Sequence, residues 1–146
     1  MTTEQLEEQF EQYEIDSTTF TELQSRQKEL IETSLEDAMP LIQWYHKKGL
    51  YFTHPTIERH TSRGPILGFD EARYELVVYD SHIGFLRINL REKEEKRMKL
   101  TDIVEDGYFE TAMEGILFLQ TMMGQYLDEV KEMNARLEAQ LSKYDA

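Results

Sequence analysis

Three side chains between positions 54 and 60 are of types that bind transition metals. If this segment were extended, His54, Glu58 and His60 would project from one face, because alternate residues of a strand share a side. Two imidazoles and a carboxylate are a ligand set that can hold a metal such as iron. Pro55 interrupts the segment, however, and no paired motif such as H-E-x-x-H accompanies it. We therefore expect no bound metal and no other cofactor.

The other reactive side chains lack the spacing of known catalytic motifs. Acid–base and nucleophilic catalysis require positioned partners, and His82 after Asp80 and Ser81 is the nearest approach to a cluster. A tight turn explains those three residues better. The absence of cysteine excludes disulfides and thiolate chemistry, and the glycines are too scattered to form a phosphate-binding loop. The sequence favours a protein that is not an enzyme.

Basic and aromatic residues in the middle of the chain could form a surface for single-stranded nucleic acid. They are Arg73, Arg87, Arg91, Arg97 and Lys99, together with Tyr74 or Tyr79. Pairing with neighbouring glutamates is the ordinary alternative. The net charge of −13 also opposes binding to a polyanion. Direct binding to nucleic acid is therefore not expected.

Negative charge is concentrated at both ends of the chain. Residues 1–40 carry 11 acids and 2 bases, residues 41–100 carry 8 and 11, and residues 101–146 carry 10 and 3. Seven carboxylates near the start form what we call the acidic ridge: Glu4, Glu7, Glu8, Glu11, Glu14, Asp16 and Glu22. A ridge of this kind favours a partner with a basic surface. In its most specific form it imitates the backbone of double-stranded DNA, which carries one charge per ~1.7 Å.

The last third of the chain, Gly107 to Ala146, is predicted to be one long helix packed on a sheet, because its apolar residues recur at steps of three and four. Residues 109–123 are apolar nearly all round, which predicts burial, whereas residues 126–144 narrow to one stripe. Gly115 and Gly124 would lie where another backbone approaches closely. The stripe has two alternative partners, the chain's own Phe20–Tyr45 helix in an antiparallel hairpin or the same helix of a second copy. The self-association candidates are Tyr126, Val130, Met133, Leu137 and Leu141.

The first 48 residues are predicted to contain two helices. Thr2 and Gln5 have the spacing of a capping box, after which Leu6, Phe10 and Tyr13 form a thin apolar stripe that either docks or frays. Asp16 to Thr19 reads as a second helix start. We expect a kink or break near Met39, because Pro40 follows it, and we expect Trp44 in the core.

Between these helical parts the hydrophobic period changes to two, which indicates strands. Residues 73–79 and 82–91 alternate well, with Asp80-Ser81 as the turn of a hairpin, and residues 97–100 would add a third strand. The predicted fold is α+β: N-terminal helices, a three- to four-stranded antiparallel meander and a long C-terminal helix packed on the sheet. We expect a single domain over residues 1–146, consisting of an acidic helical segment (1–48), an antiparallel sheet (50–100) and the long C-terminal helix (101–146).

Together these features predict a non-catalytic, acidic protein-binding module. Its most concrete form is an inhibitor or regulator that presents a nucleic-acid-like negative surface to a basic, nucleic-acid-handling protein. The alternative is a structural homo-oligomer, such as a homodimer, that assembles through the long C-terminal helix. The longest apolar run is far shorter than the ~20 residues needed to span a bilayer, so no membrane partner is expected. A cytoplasmic location is expected, since the N-terminus lacks the pattern of a signal peptide.

Overall fold

The computed structural model describes residues 1–145 and shows a mixed α+β protein, as the sequence predicts. One long helix precedes a four-stranded antiparallel sheet, and three further helices follow it. In chain order the elements are α1 (Thr3–Lys48), β1 (Ile66–Asp70), β2 (Glu75–Asp80), β3 (Gly84–Asn89), β4 (Glu95–Met98), α2 (Leu100–Glu105), α3 (Phe109–Leu117) and α4 (Leu119–Ser142). Within residues 1–145, no helix combines the length and the apolar character needed to cross a membrane.

Helix α1 begins and ends with the capping groups that its sequence supplies. The Thr2 hydroxyl accepts from the Gln5 amide at 3.2 Å, and the Gln5 side chain accepts from the Thr2 amide at 2.8 Å. This capping box satisfies two amides that lack partners within the helix. At the other end Gly49 adopts a left-handed conformation, with a φ of 70°, and its amide bonds back to His46.

The prediction of two N-terminal helices is wrong, because α1 is a single helix of 46 residues. No helix starts at residues 16–19: the hydroxyls of Thr18 and Thr19 donate to carbonyls four residues earlier and cap nothing. The helix also continues through Pro40, which removes one backbone donor. Ala38 and Ile42, on either side of the proline, are both buried in the same core, and this packing holds the helix together across it.

The sheet is a simple meander with the order β1-β2-β3-β4. It has two apolar faces. Leu67 and Val77 join the main core with the helices, whereas Leu76, Val78 and Leu86 lie in a smaller cluster on the opposite face. Ile66 and Leu67 of β1 are buried on opposite faces because successive residues of a strand alternate in direction, and the register with β2 shifts between Ile66 and Gly68.

The C-terminal helix is interrupted once, at Phe118, so the prediction of one unbroken helix is wrong there. Because Gly115 has no side chain, α3 can lie very close to the sheet at this residue. A methyl group at Gly115 would overlap the carbonyl oxygen of Ile66 in β1. The prediction of a close backbone neighbour is thus confirmed for Gly115 and wrong for Gly124, where a methyl group would meet nothing within 4 Å.

Candidate protein-interaction surface

The hydroxyl of Tyr45 fixes the point where α4 meets α1. It donates to the carbonyl of Leu119 at 2.7 Å and accepts from the amide of Met123 at 3.0 Å. The start of α3 lies further back along α1, since Phe109 borders a groove with Leu23 and Leu30. Helices α3 and α4 therefore follow the direction of α1, and α4 leaves the protein body where α1 ends.

This direction contradicts the antiparallel hairpin considered from the sequence. In such a hairpin the stripe of α4 would pack back along residues 20–45 of α1. Instead, Tyr126 reaches the segment after α1, where its hydroxyl donates to the Tyr51 carbonyl at 2.5 Å. Val130, Met133 and Leu137 lie beyond this point and are exposed.

As a result, two helical arms project from the body, by which we mean the packed part of the protein formed by the sheet and the helices around it. We call residues 3–23 of α1 the N-terminal arm and residues 127–142 of α4 the C-terminal arm. Every residue of the C-terminal arm is exposed, and in the N-terminal arm only Ser17 is partly buried. At 1.5 Å per residue the arms are about 31 Å and about 24 Å long. They leave the body at opposite ends, because residue 3 lies about 63 Å along α1 from Tyr45.

The N-terminal arm carries an apolar stripe that begins with Leu6, Phe10 and Tyr13, for which the sequence predicts either docking or fraying; they are helical and exposed. Phe10 is 54 % exposed and Phe20 is 61 % exposed. With Leu6 and Tyr13 they follow the three-four spacing, which runs on through Ser17, Gln24 and Gln27 to the buried Ile31, Ala38 and Tyr45. The exposed stripe and the core-facing side of α1 are thus one continuous face. The sequence shows this continuity if the polar residues Ser17, Gln24 and Gln27 are counted as part of the stripe.

A hollow in the N-terminal arm lies on this face. Ser17 is small and sits between Tyr13 and Phe20, and these residues line a shallow, open depression together with polar neighbours that include Asp16. Alternation of a small residue with large ones is the shape into which an apolar side chain of a second helix inserts.

The C-terminal arm carries four of the five predicted self-association residues in exposed positions. Val130, Met133, Leu137 and Leu141 are each between 51 % and 66 % exposed. Tyr126 differs from them, because it packs against the main core and is hydrogen-bonded to Tyr51. Burial, followed by the nearby Glu129 carboxylate, raises the pKa of Tyr126. Tyr126 therefore belongs to the base of the arm.

All seven carboxylates of the acidic ridge lie on the N-terminal arm and are exposed. Among the described residues none of the seven takes part in a salt bridge. Six of them fall within about 120° of the helix circumference, and Asp16 lies apart from that arc. Seven charges over about 27 Å of axis give one charge per roughly 4 Å, less than half the density of double-stranded DNA.

Of the three residues considered for metal binding, the two histidines make structural contacts and Glu58 is exposed. His54 is buried, with Nδ1 accepting from the amides of Thr56 and Ile57 and Nε2 at 2.8 Å from the Thr111 carbonyl. These contacts require the tautomer that carries its proton on Nε2 and leave neither nitrogen free for a metal. His60 instead packs edge-on against Tyr51. Within residues 1–145 no group of three metal-binding side chains is present.

The basic residues of the sheet do not form one surface. Arg97 is paired across the strands with Leu86 and Arg87 with Lys96, so the two arginines lie on opposite faces. Arg87 also forms an ion pair with Asp106 at 2.7 Å, and Arg91 stacks on the Tyr74 ring at 4.8 Å.

The prediction that Trp44 lies in the core is wrong. Its side chain is 42 % exposed and packs edge-on against the Tyr45 ring.

Comparison with known proteins gives no match, since no protein-family model, no curated protein and no solved structure is significantly similar to this chain.

Proposed function

We propose that this protein is a non-catalytic assembly module that binds through its two helical arms, and that the primary partner is a further copy of itself. The observation that carries the proposal is the pair of apolar stripes, about half exposed on both arms. In proteins most helix stability comes from packing an apolar face, which neither arm does within the described chain. Burying the exposed part of each stripe residue would contribute roughly 1 kcal/mol.

The mass of the protein in solution tests whether it associates with itself. Sedimentation or light scattering over a range of protein concentration is expected to show species heavier than the 17.4 kDa chain. Replacing both stripes at once, with Phe10→Glu, Phe20→Glu, Met133→Glu and Leu137→Glu, is expected to give a monomer. The matched control places four glutamates at exposed residues off the stripes, with Thr18→Glu, Ser25→Glu, Ala135→Glu and Ala139→Glu, and is expected to associate like the parent. A parent protein that stays at the chain mass at every concentration would contradict the proposal.

The acidic ridge supports a second function, regulation of a basic protein. Seven exposed carboxylates without a basic partner in the described chain produce a strong local negative potential. The most specific version, an inhibitor that occupies the nucleic-acid site of a DNA- or RNA-handling protein, has weaker support. The ridge carries too few charges per unit length to imitate a duplex and comes closer to the ~3.4 Å spacing of a single strand.

Titration with polylysine, a simple basic probe, tests the ridge. Neutralising Glu4, Glu7, Glu8 and Glu11 to glutamine is expected to weaken binding more than neutralising four acids of the body. The body control is Glu92, Glu94, Glu105 and Glu110, which has the same change in net charge. Equal losses for the two variants would show that only net charge matters and would reject the ridge as a binding surface.

A further inference from the structure

We infer that the C-terminal arm of one copy packs along the N-terminal arm of the next, so that copies join head to tail. This inference rests on the proposed self-association and names which surfaces meet. Three features of the arms lead to it: their charges, their lengths and the position of α3 beside the N-terminal arm.

The charges of the arms disfavour contact between two N-terminal arms, whereas two C-terminal arms repel each other least. The N-terminal arm has seven acids and no base, which gives −7, and the C-terminal arm has four acids and two bases, which gives −2. Coulomb repulsion scales with the product of the two charges. That product is 49 for two N-terminal arms and 4 for two C-terminal arms, against 14 for each of two mixed contacts. Two copies have four stripes in all. Covering them with two mixed contacts gives roughly half the repulsion of one contact between N-terminal arms plus one between C-terminal arms.

The charged residues beside the stripes also fit the mixed contact. Glu7 and Glu14 each follow a stripe residue of the N-terminal arm, and they are seven residues apart. On the C-terminal arm both signs adjoin the stripe: Lys131 and Arg136 stand next to stripe residues, as do Glu129, Glu132 and Glu138. Positions that flank the apolar seam are where charges select a partner helix. Two N-terminal arms would place only acids along this seam.

The lengths of the arms match. The C-terminal arm, about 24 Å long, fits within the roughly 31 Å of the N-terminal arm. Its stripe residues Met133 and Leu137 could enter the hollow at Ser17, which Tyr13 and Phe20 border. Both stripes then become buried in one junction, while pairing of C-terminal arms alone would leave Phe10 and Phe20 exposed.

Helix α3 determines the orientation. The stripe of the N-terminal arm lies on the face of α1 that α3 occupies further along, and Phe109 lies beside Leu23 and Leu30 at the boundary. An incoming arm must keep its own body away from this α3. It can do so only by running in the direction of α1, with its body beyond the N-terminal end. Such a contact uses two different surfaces, so each copy keeps one arm free and an open series results.

Two variants with one arm blocked each test the inference. The first carries Phe10→Glu and Phe20→Glu, and the second carries Met133→Glu and Leu137→Glu. All four residues are exposed, so the fold is expected to persist, and unchanged near-ultraviolet circular dichroism checks this. Each variant alone is expected to remain at the chain mass. An equimolar mixture is expected to form a pair at twice that mass, because one intact arm of each kind is present.

The possible outcomes separate the two levels of the proposal. A single variant that dimerises alone would show contact between like arms and overturn the head-to-tail arrangement, while self-association itself would stand. A mixture that stays monomeric, although the parent associates, would also reject the mixed contact. Association of the parent that neither variant alters would place the interface outside both arms and remove the inference together with the proposed function.

Discussion

The Tyr45 hydroxyl bridges Leu119 and Met123, donating to the carbonyl of the first and accepting from the amide of the second. A regular helix pairs these two groups directly, since they lie four residues apart. A side chain of α1 thus enters the backbone hydrogen bonding of α4 in its first turn, next to the interruption at Phe118. Together with the buried Leu119 and Met122, this contact holds the first turn of α4 against α1.

We predict that Tyr45→Phe lowers the free energy of unfolding by about 1–3 kcal/mol, because two buried or half-buried backbone groups lose a hydrogen-bonding partner. Urea denaturation followed by circular dichroism measures the change. Tyr13→Phe is the control, since Tyr13 is 67 % exposed on the N-terminal arm. The arm-blocked background with all four glutamate substitutions keeps association out of the measurement. Equal stability of the two tyrosine variants would show that the bridge contributes little.

The two helical glycines of the C-terminal part are predicted to respond oppositely to alanine. Gly115→Ala places a methyl group against the Ile66 carbonyl, and overpacking of this kind costs about 1–3 kcal/mol. Gly124→Ala meets open space and is expected to stabilise the helix by about 1 kcal/mol. Thermal unfolding of both variants in the arm-blocked background checks the signs. A stabilising Gly115→Ala would mean that α3 can move away from β1 at little cost.

Asp80 is predicted to contribute to stability that is lost in acid. Burial raises the pKa of this carboxyl, but hydrogen bonds from the His82 amide, the Arg63 guanidinium and the Ile83 amide outweigh burial and lower the pKa below its ordinary 3.8. A carboxylate with a lowered pKa in the folded state stabilises the protein above its unfolded pKa. That contribution disappears as the pH falls from near 3.8 through the folded value.

The variant Asp80→Asn tests this pH dependence. The amide oxygen can still accept from His82 and Ile83, but the ion pair with Arg63 is gone. We expect the variant to be less stable than the parent at neutral pH and the difference to shrink below about pH 4. Unfolding free energies measured at neutral and acidic pH in the arm-blocked background provide the comparison. A difference that is constant with pH would exclude a role for the charge.

Salt is predicted to strengthen self-association. Both arms are negative, and raising the ionic strength from about 0.1 M to about 1 M shortens the screening length from ~10 Å to ~3 Å. Equilibrium sedimentation at the two concentrations is expected to show an association constant several-fold higher in the more concentrated salt. Glu8→Gln with Glu11→Gln lowers the negative charge of the N-terminal arm away from the stripe and should weaken this dependence. Association that falls with salt would instead indicate attraction between opposite charges as its main source.

The sequence was sufficient to predict those elements whose structure is determined by residues close together in the chain. The capping box at Thr2 and Gln5, the closing Gly49 and the alternation in β2 and β3 depend on residues close together in the chain, and all were predictable. The last strand was predicted two residues late, at 97–100 instead of 95–98, because the charged Glu95 and Lys96 resemble a loop. Strand β1 was not assigned, since its irregularity at Ile66–Gly68 hides the period of two.

Tertiary packing explains the remaining errors. Pro40 lies within a continuous helix because Ala38 and Ile42 are held in the core, and no local pattern reports that support. For Leu6, Phe10 and Tyr13 the sequence left docking and fraying open, and these residues are instead helical and exposed. Their spacing suits burial, but α3 reaches α1 only from Leu23 onward, and the length of a neighbouring helix is not encoded in the stripe itself. The arms became visible only when the direction of α4 was known.

Pro40 also makes α1 a potential lever. The proline lacks the amide that would pair with the Glu36 carbonyl, so at this turn the helix depends on the packing of Ala38 and Ile42 in the core. From Pro40 to Thr3 the helix runs for about 55 Å, and a change of about 10° at the proline would displace its tip by roughly 10 Å. A small rearrangement within the core could therefore sweep the far end of the molecule through a wide arc.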